Sequence, residues 1–470
     1  MELILVILIA AAAVWGLVAA RHCSLLTGCV CFVVVGCVWG HNFWHGRIGP
    51  LTLTTDRVVL VALCGLLAWR FKSGQLQLRP LAASDWFIAL LLGYLTVHCF
   101  LTPRAEGVAT TVSPTWRLIA SFWIPAVLYW IASQAELSER IWKTMLGCLV
   151  VLGSYLALTG LAEVSQQWWA VLPRYISDPD LGTHFGRARG PILMSASLGM
   201  YLTVCFWAGW FLWSRVGKLW RLPLLMLMLL MVVGVYLSYT RSTWLGLAVV
   251  AVVIPLSYLP RQWRLPTAVG LLLFGSFGAM LFGSKTLSLS RDDSSAGHSV
   301  SQRASFAYVS ARMFRDQPLL GCGFGRFYDK KLPYLADRSQ QLELESLRDL
   351  DHHNTYLSLL TETGLIGFGM FMAVLVAWGR AAWRLAYNPQ QAVWVRAHGL
   401  FALAVWLNYV TNAMFHDLTL APSEQWLLCL TAGISVGLQT ATSSRRNVAT
   451  EASNTMPRVP TAGSLALPSY

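Results

Sequence analysis

Residues 351–369 read DHHNTYLSLLTETGLIGFG. From Thr355 the stretch becomes an apolar run that continues to about residue 378, long enough at 1.5 Å per residue to cross the hydrocarbon of a bilayer. It opens on two histidines and an asparagine and carries Glu362 within the run. A carboxylate facing lipid is too costly, so Glu362 must face protein or water. Asn354 or Asp351 can cap the helix, which puts His353 at its mouth and Glu362 about 13 Å deeper. The stretch therefore predicts a bundle of helices in lipid, with reactive chemistry at a helix mouth and a structural acid below it.

The rest of the chain agrees. Its 470 residues are 56% hydrophobic and only 12% charged, with mean hydropathy +0.54, outside the usage of soluble globular proteins. Thirteen segments are apolar enough to span, centred on 2–20, 23–40, 56–71, 84–101, 115–133, 141–164, 190–213, 222–240, 243–259, 266–283, 354–378, 396–414 and 422–440. The fold class predicted is all-α, a polytopic membrane helical bundle of about 12–13 spans with one long external loop containing short helices. Its divisions are an N-terminal bundle over 1–283, the loop over 284–353, C-terminal spans over 354–440, and a Ser/Thr/Pro-rich tail over 441–470 expected to be disordered. The first segment lacks a basic leader region and reads as a span.

All ten cysteines except Cys322 sit in apolar stretches without a CxxC pair, which argues against a disulfide framework or a metal ribbon. The net charge of +13 is scattered over short loops and forms no single basic face, so nucleic acid is not an expected partner. The basic loops instead alternate: Arg21, Lys72 and Arg79, Arg140 and Lys143, Arg215 with Lys218 and Arg221, Arg261 and Arg264, Arg380 with Arg384 and Arg396, then Arg445 and Arg446. That pattern places them inside and 284–353 outside.

Several arginines then lie on the side where topology does not favour them. Arg187 and Arg189 in GRARGP, Arg241 in YTRSTW and Arg303 in SQRASF fall at or near outer helix ends. One alone reads equally well as a side chain snorkelling to the interface. Together with His353 they point to an anionic ligand, since guanidinium grips phosphate bidentately and a neutral imidazole accepts a proton from a hydroxyl. No metal site is expected. His352 and His353 point apart and have no third ligand at suitable spacing, and Asp292 with Asp293 reads as a solvated loop. GCGFGRF at 321–327 follows no strand and is read as a turn. External helices are predicted over 300–318, ended by Pro318, and over 328–350.

Three motifs, YLSYTRSTWLGL (236–247), SQRASFAYVSARMFRDQPLLGCGFGRF (301–327) and HHNTYLSLLTETGLIGFG (352–369), resemble in order and spacing those of the bacterial O-antigen ligase and polymerase superfamily. The resemblance covers about 190–369. It implies a membrane glycosyltransferase of the bacterial inner membrane, without metal or other cofactor, that moves a glycan from an undecaprenyl-diphosphate carrier on the periplasmic side. It implies Arg241, Arg303 and His353 as catalytic residues, and Arg187, Arg189 and Asn354 as substrate-binding, with Glu362 in structural support. Lipid A core, a growing polysaccharide and a protein side chain all fit as acceptors. The rival from another class, a transporter of a lipid-linked or anionic solute, calls for an inverted repeat and interrupted helices; no repeat is visible in the sequence.

Overall fold

A computed structural model of the chain describes residues 24–48, 51–102, 113–260, 262–267, 269–270, 293–337 and 342–455. Its helices are α1 (Leu25–Val38), α2 (Thr55–Lys72), α3 (Ala83–Leu101), α4 (Pro114–Ser133), α5 (Glu139–Val164), α6 (Ser195–Trp213), α7 (Lys218–Leu237) and α8 (Arg241–Tyr258). They continue with α9 (Asp293–Asp316), α10 (Phe327–Lys330), α11 (Leu332–Leu335), α12 (Thr355–Tyr387), α13 (Val393–Asn412) and α14 (Ser423–Thr455). The all-α polytopic reading holds. Among the described residues the exception is a short antiparallel hairpin, β1 (His45–Ile48) with β2 (Leu51–Thr54), between α1 and α2.

Eight helices among the described residues are long and apolar enough to cross a membrane: α3 to α8, α12 and α13. They coincide with eight of the thirteen expected segments. The segment at 23–40 is the shorter α1, and those at 56–71 and 422–440 are the helices α2 and α14, which are not among the eight. The segment at 2–20 and most of that at 266–283 lie outside the described residues. The backbone of α14 runs on to Thr455, where the sequence suggested a disordered tail from 441; residues 456–470 lie outside the described residues.

Helix starts follow the local sequence. Ser24, Ser138 and Asn354 each accept a hydrogen bond from a backbone N–H three residues on, at 3.0, 3.3 and 3.0 Å, as N-caps do. α6 is the hub. Nearly all of its side chains are buried, and it packs against α5, α7, α8 and α13. α3, α7 and α8 are mostly exposed, with apolar residues such as Phe100, Leu219 and Leu229 outward, as lipid-facing helices must be. α14 approaches α4 so closely that a Cβ on Gly433 or Gly437 would meet the carbonyls of Tyr129 and Ser133; this GISVG segment is a small-xxx-small contact of the membrane type.

α12 is interrupted. Gly364 adopts φ 62° and ψ −167°, and the turn 318–323 threads into the break. Cys322 and Gly323 donate to the carbonyls of Thr361 and Glu362 at 3.0 and 2.9 Å, and Leu365 donates to that of Pro318 at 2.9 Å. The backbones touch so closely that neither Gly364 nor Gly321 has room for a Cβ. The break thus finds its hydrogen bonds inside the protein, as irregular backbone at membrane depth must. This is the structural meaning of GCGFG: a turn, as expected, but one wedged into a span that the sequence suggested was continuous.

α9 is the expected external helix over 300–318. The second, over 328–350, is not one helix. α10, α11 and a single turn at Leu344–Leu347 fold back so that Leu335, Leu344 and Leu347 join Phe306, Val309, Met313 and Phe327 in a small separate core. A continuous helix would hold those leucines too far apart along its axis to meet α9 together.

Candidate functional site

Four of the residues singled out in the sequence meet around one cavity of about 290 Å³: Arg187, Arg241, Arg303 and His353 all line it. The cavity lies at the end of the bundle where α6, α8 and α14 begin, and Ser195, Arg241 and Glu424 from their first turns form part of its wall. Three helix N-termini bring positive dipole ends and unpaired N–H groups to one place, which favours an anion there. Arg241 is telling in this respect. A guanidinium at a helix N-terminus opposes the dipole, an arrangement that an arriving anion relieves. Backbone geometry is unusual here too: His184 and Tyr239, both in the wall, and Leu193 beside it have φ of 57°, 47° and 58°. Non-glycine residues in the left-handed region persist where surrounding structure holds them, often at functional sites.

His353 is exposed at the cavity. Its Nδ1 lies 2.9 Å from the carbonyl oxygen of Asp351. A carbonyl only accepts, so Nδ1 carries the proton and the neutral ring keeps its lone pair on Nε2. His352, by contrast, is buried between Phe306 and Phe327, with ring centroids 5.7 and 3.7 Å away. Burial first, then the charges of Arg117, His353 and Lys331, hold its pKa well below the ordinary histidine value. Both adjacent histidines contribute to the cavity wall, but His352 is buried by its ring packing while His353 is exposed. Arg303 reaches the cavity from α9 and lies over the ring of Phe415 at 5.6 Å.

The structure adds residues that sequence reasoning missed. His416 lines the cavity, with Nε2 2.8 Å from Ser242 Oγ, and burial followed by the charges of His353, Arg303 and His184 pushes its pKa down to about 4. Glu424 is buried in the wall and accepts from the Ser197 hydroxyl, while its Oε2 has no hydrogen-bond partner. Behind the wall lies Arg117. It donates to Glu362 Oε2 at 2.7 Å, Asp417 Oδ2 at 3.2 Å, Ser358 Oγ at 3.0 Å and, through Nε, Thr419 Oγ1 at 2.9 Å. Glu362 is thus an acid joining helices, with one arginine shared between it and Asp417. A π-helical turn, Ile119–Trp123, follows Arg117 in α4.

Two expected binding residues stand elsewhere. Arg189 is 1% exposed. Its guanidinium donates to the carbonyls of Leu181 and Ile176 at 2.7 and 2.9 Å and pairs with Glu163 at 3.6 Å, so it fixes the 176–190 loop and is absent from the cavity wall. Two residues apart in the chain, Arg187 and Arg189 go to different places because Gly190 and Arg189 both donate their N–H to Glu163, pulling the second arginine inward. Asn354 caps α12 and donates to the Met414 carbonyl at 2.8 Å. With Thr355, which bonds the carbonyls of Ala413 and His416, it clamps the turn that carries His416 and does not reach the cavity.

Asp292 lies outside the described residues, and among those described no cluster of His, Cys, Asp and Glu has the geometry of a metal site. No curated protein matches the chain. Residues 226–372 match the family model described as O-antigen ligase, a span that carries Arg241, Arg303 and His353 but leaves out Arg187, Arg117 and the 413–424 segment. Residues 226–372 are thus similar to the O-antigen ligase family, within a chain whose described residues include eight helices long and apolar enough to cross a membrane.

Proposed function

We propose that the chain is a periplasm-facing glycosyltransferase of the bacterial inner membrane that moves a glycan from undecaprenyl diphosphate to an acceptor hydroxyl. The observation that carries this reading is the meeting of Arg187, Arg241, Arg303 and His353 around one cavity at a ring of helix N-termini. His353 Nε2 takes the proton of the acceptor hydroxyl as its oxygen attacks the anomeric carbon. The bond from that carbon to the diphosphate breaks, the electron pair leaves with undecaprenyl diphosphate, and the configuration inverts. The arginines neutralise charge as it builds on the leaving group, the role a divalent ion plays in other sites. The proton passes from His353 to water.

Sidedness is supported by dimensions. α6 runs from Ser195 at the cavity to Trp213, beside Arg215 and Arg396 at the other end. Its length is about 28 Å, close to the ~30 Å hydrocarbon thickness. The cavity and the end carrying Arg215 and Arg396 are thus at opposite ends of α6, which supports the positive-inside reading that puts the cavity outside. Lipid A core and a growing polysaccharide fit as acceptors, and a protein side chain fits the same chemistry. The interruption at Gly364, a feature shared with transporters, is filled by residues 318–323 of the chain itself. The test is transfer by the purified protein from the lipid-linked glycan that accumulates when the gene is deleted. His353→Ala is expected to lower turnover about 10²–10⁴-fold with donor binding kept, and Arg241→Lys and Arg303→Lys to weaken both, because Lys keeps the charge but loses the fork. Near-normal transfer by all three variants would refute the assignment, as would labelling that finds Arg303 on the cytoplasmic face.

A further inference from the structure

A second cavity, of about 640 Å³, adjoins the arginine cavity through two thin partitions. In the turn before α6, Pro191 and Ile192 line the second cavity and Ser195 and Ala196 the first. At the start of α14, Leu420 borders both, Trp426 only the second and Glu424 only the first. A ligand bound at the arginines need extend by little more than one residue's width of wall to enter it.

Its chemistry differs from that of its neighbour. Asp56 and Arg57, at the start of α2, stand among the rings of Trp116, Trp426 and Tyr175. The Arg57 guanidinium lies 4.0 Å over Trp116, and one of its amino groups is held by the Thr52 carbonyl, while its Nε is buried without a hydrogen-bond partner. Thr54 is 1% exposed, lines the cavity, and its hydroxyl also lacks a partner. Asp56 is 8% exposed. Trp426 is fixed against Phe32 at 4.8 Å, and the Tyr175 hydroxyl donates to the Pro191 carbonyl at 2.9 Å.

The volume lies within the ~300–1,000 Å³ of small-molecule sites. A carboxylate beside a guanidinium suits neither an anion, which the acid repels, nor an acyl chain, which would strand both charges. It suits paired hydroxyls, which donate to the one and accept from the other. Aromatic faces complete the match, since a sugar ring offers an apolar C–H face as well as a polar edge. We propose that this cavity holds a sugar ring adjacent to the glycosidic bond that the enzyme makes, which rests on the glycosyl-transfer reading above. The ring belongs either to the donor glycan or to the acceptor.

The test uses full-length protein in nanodiscs and two probes: undecaprenyl diphosphate without sugar, and the lipid-linked glycan from the deletion strain. Wild type is expected to bind the second more tightly. If the ring is the donor's, Asp56→Asn and Trp116→Leu reduce that preference by about tenfold while affinity for the bare lipid stays, which also shows that the variants fold. If the ring is the acceptor's, both affinities stay and the KM for acceptor-bearing envelope vesicles of the deletion strain rises by a similar factor. Asp56→Asn and Trp116→Leu with unchanged preference and unchanged KM overturn the proposal, as does equal loss of both probes. Failure of wild type to bind either lipid would overturn the glycosyl-transfer reading itself, and with it this one.

Discussion

Arg117 is the residue whose removal should damage the protein most. It is 5% exposed and serves two acids that are themselves buried, Glu362 at 2% and Asp417 at 8%. Arg117→Met leaves both carboxylates without their cation, and breaking a buried pair by removing one partner costs about 3–5 kcal/mol. With two acids stranded the upper end applies. Arg117→Lys keeps the charge, but a compact ammonium cannot span Glu362, Asp417 and Ser358 as the guanidinium fork does, so about 1–3 kcal/mol is lost. Glu362→Gln is milder, about 1–2 kcal/mol, because its amide oxygen still accepts from Arg117 and the arginine remains paired with Asp417. Combined with Arg117→Met, the same Gln should recover part of the loss by removing one stranded charge, a non-additivity expected of residues in one network. Equilibrium unfolding in mixed micelles, followed by circular dichroism as SDS is added, orders the four variants. Arg117→Met as stable as wild type, or strictly additive effects in the double variant, would show that the triad does not hold this end of the bundle.

Three further outcomes follow from the geometry. Arg189→Met should destabilise the fold by about 3 kcal/mol or more, whereas Arg187→Met should destabilise it less and weaken binding of undecaprenyl diphosphate; the two assays run on both variants separate a structural arginine from a cavity arginine. His416 should contribute a loss of stability on acidification between about pH 6.5 and 4, read as the difference between wild type and His416→Gln. His416 has its pKa lowered to about 4 in the folded chain, so the unfolded chain binds the extra proton across that window and this group's contribution to stability rises with pH through it, by up to about 3 kcal/mol; His416→Gln should remove that contribution from the pH profile of unfolding. Transfer activity should survive EDTA, because arginine is proposed to carry the leaving-group charge; a requirement restored by Mg²⁺ would count against that role.

The spans were legible because a bilayer leaves the chain little choice: backbone polar groups must be satisfied within a segment, so length and apolar character alone locate helices such as α5 and α6. The cavity arginines were legible for a related reason, being basic residues at helix ends where topology disfavours them. What stayed hidden depends on contacts across long sequence separation. Arg117 in PTWRL looks like any arginine at an interface until Glu362 and Asp417 arrive from the far end of the chain. The break at Gly364 needs the 318–323 turn to fill it, and nothing local in TETGLIGFG distinguishes that glycine from Gly367. His416, in the plain turn AMFHDL, owes its place to Thr355 and Asn354, which grip the backbone on either side of it.

The division between working and structural arginines comes down to what the backbone offers them. Arg189 is surrounded by carbonyls of its own loop and by Glu163, so both of its amino groups donate inside the protein and its charge is paired there. Arg117 is likewise engaged, by side chains drawn from α12 and the 417–419 turn. Arg241 has no such surroundings: it opens a helix, where the nearest backbone groups are N–H donors that cannot receive it. Arg303 on α9 lines the cavity and meets the face of Phe415, which attracts a cation. An arginine at a helix N-terminus or on a cavity wall is well placed to bind a diphosphate, whose oxygens accept from the guanidinium and from the helix N-termini alike. On this argument the anion completes the hydrogen bonding at this end of the bundle, and undecaprenyl diphosphate should stabilise the protein against unfolding in proportion to its occupancy. That stabilisation should vanish in Arg241→Met and persist in His353→Ala, since the histidine is proposed to act on the acceptor's proton and not to hold the lipid.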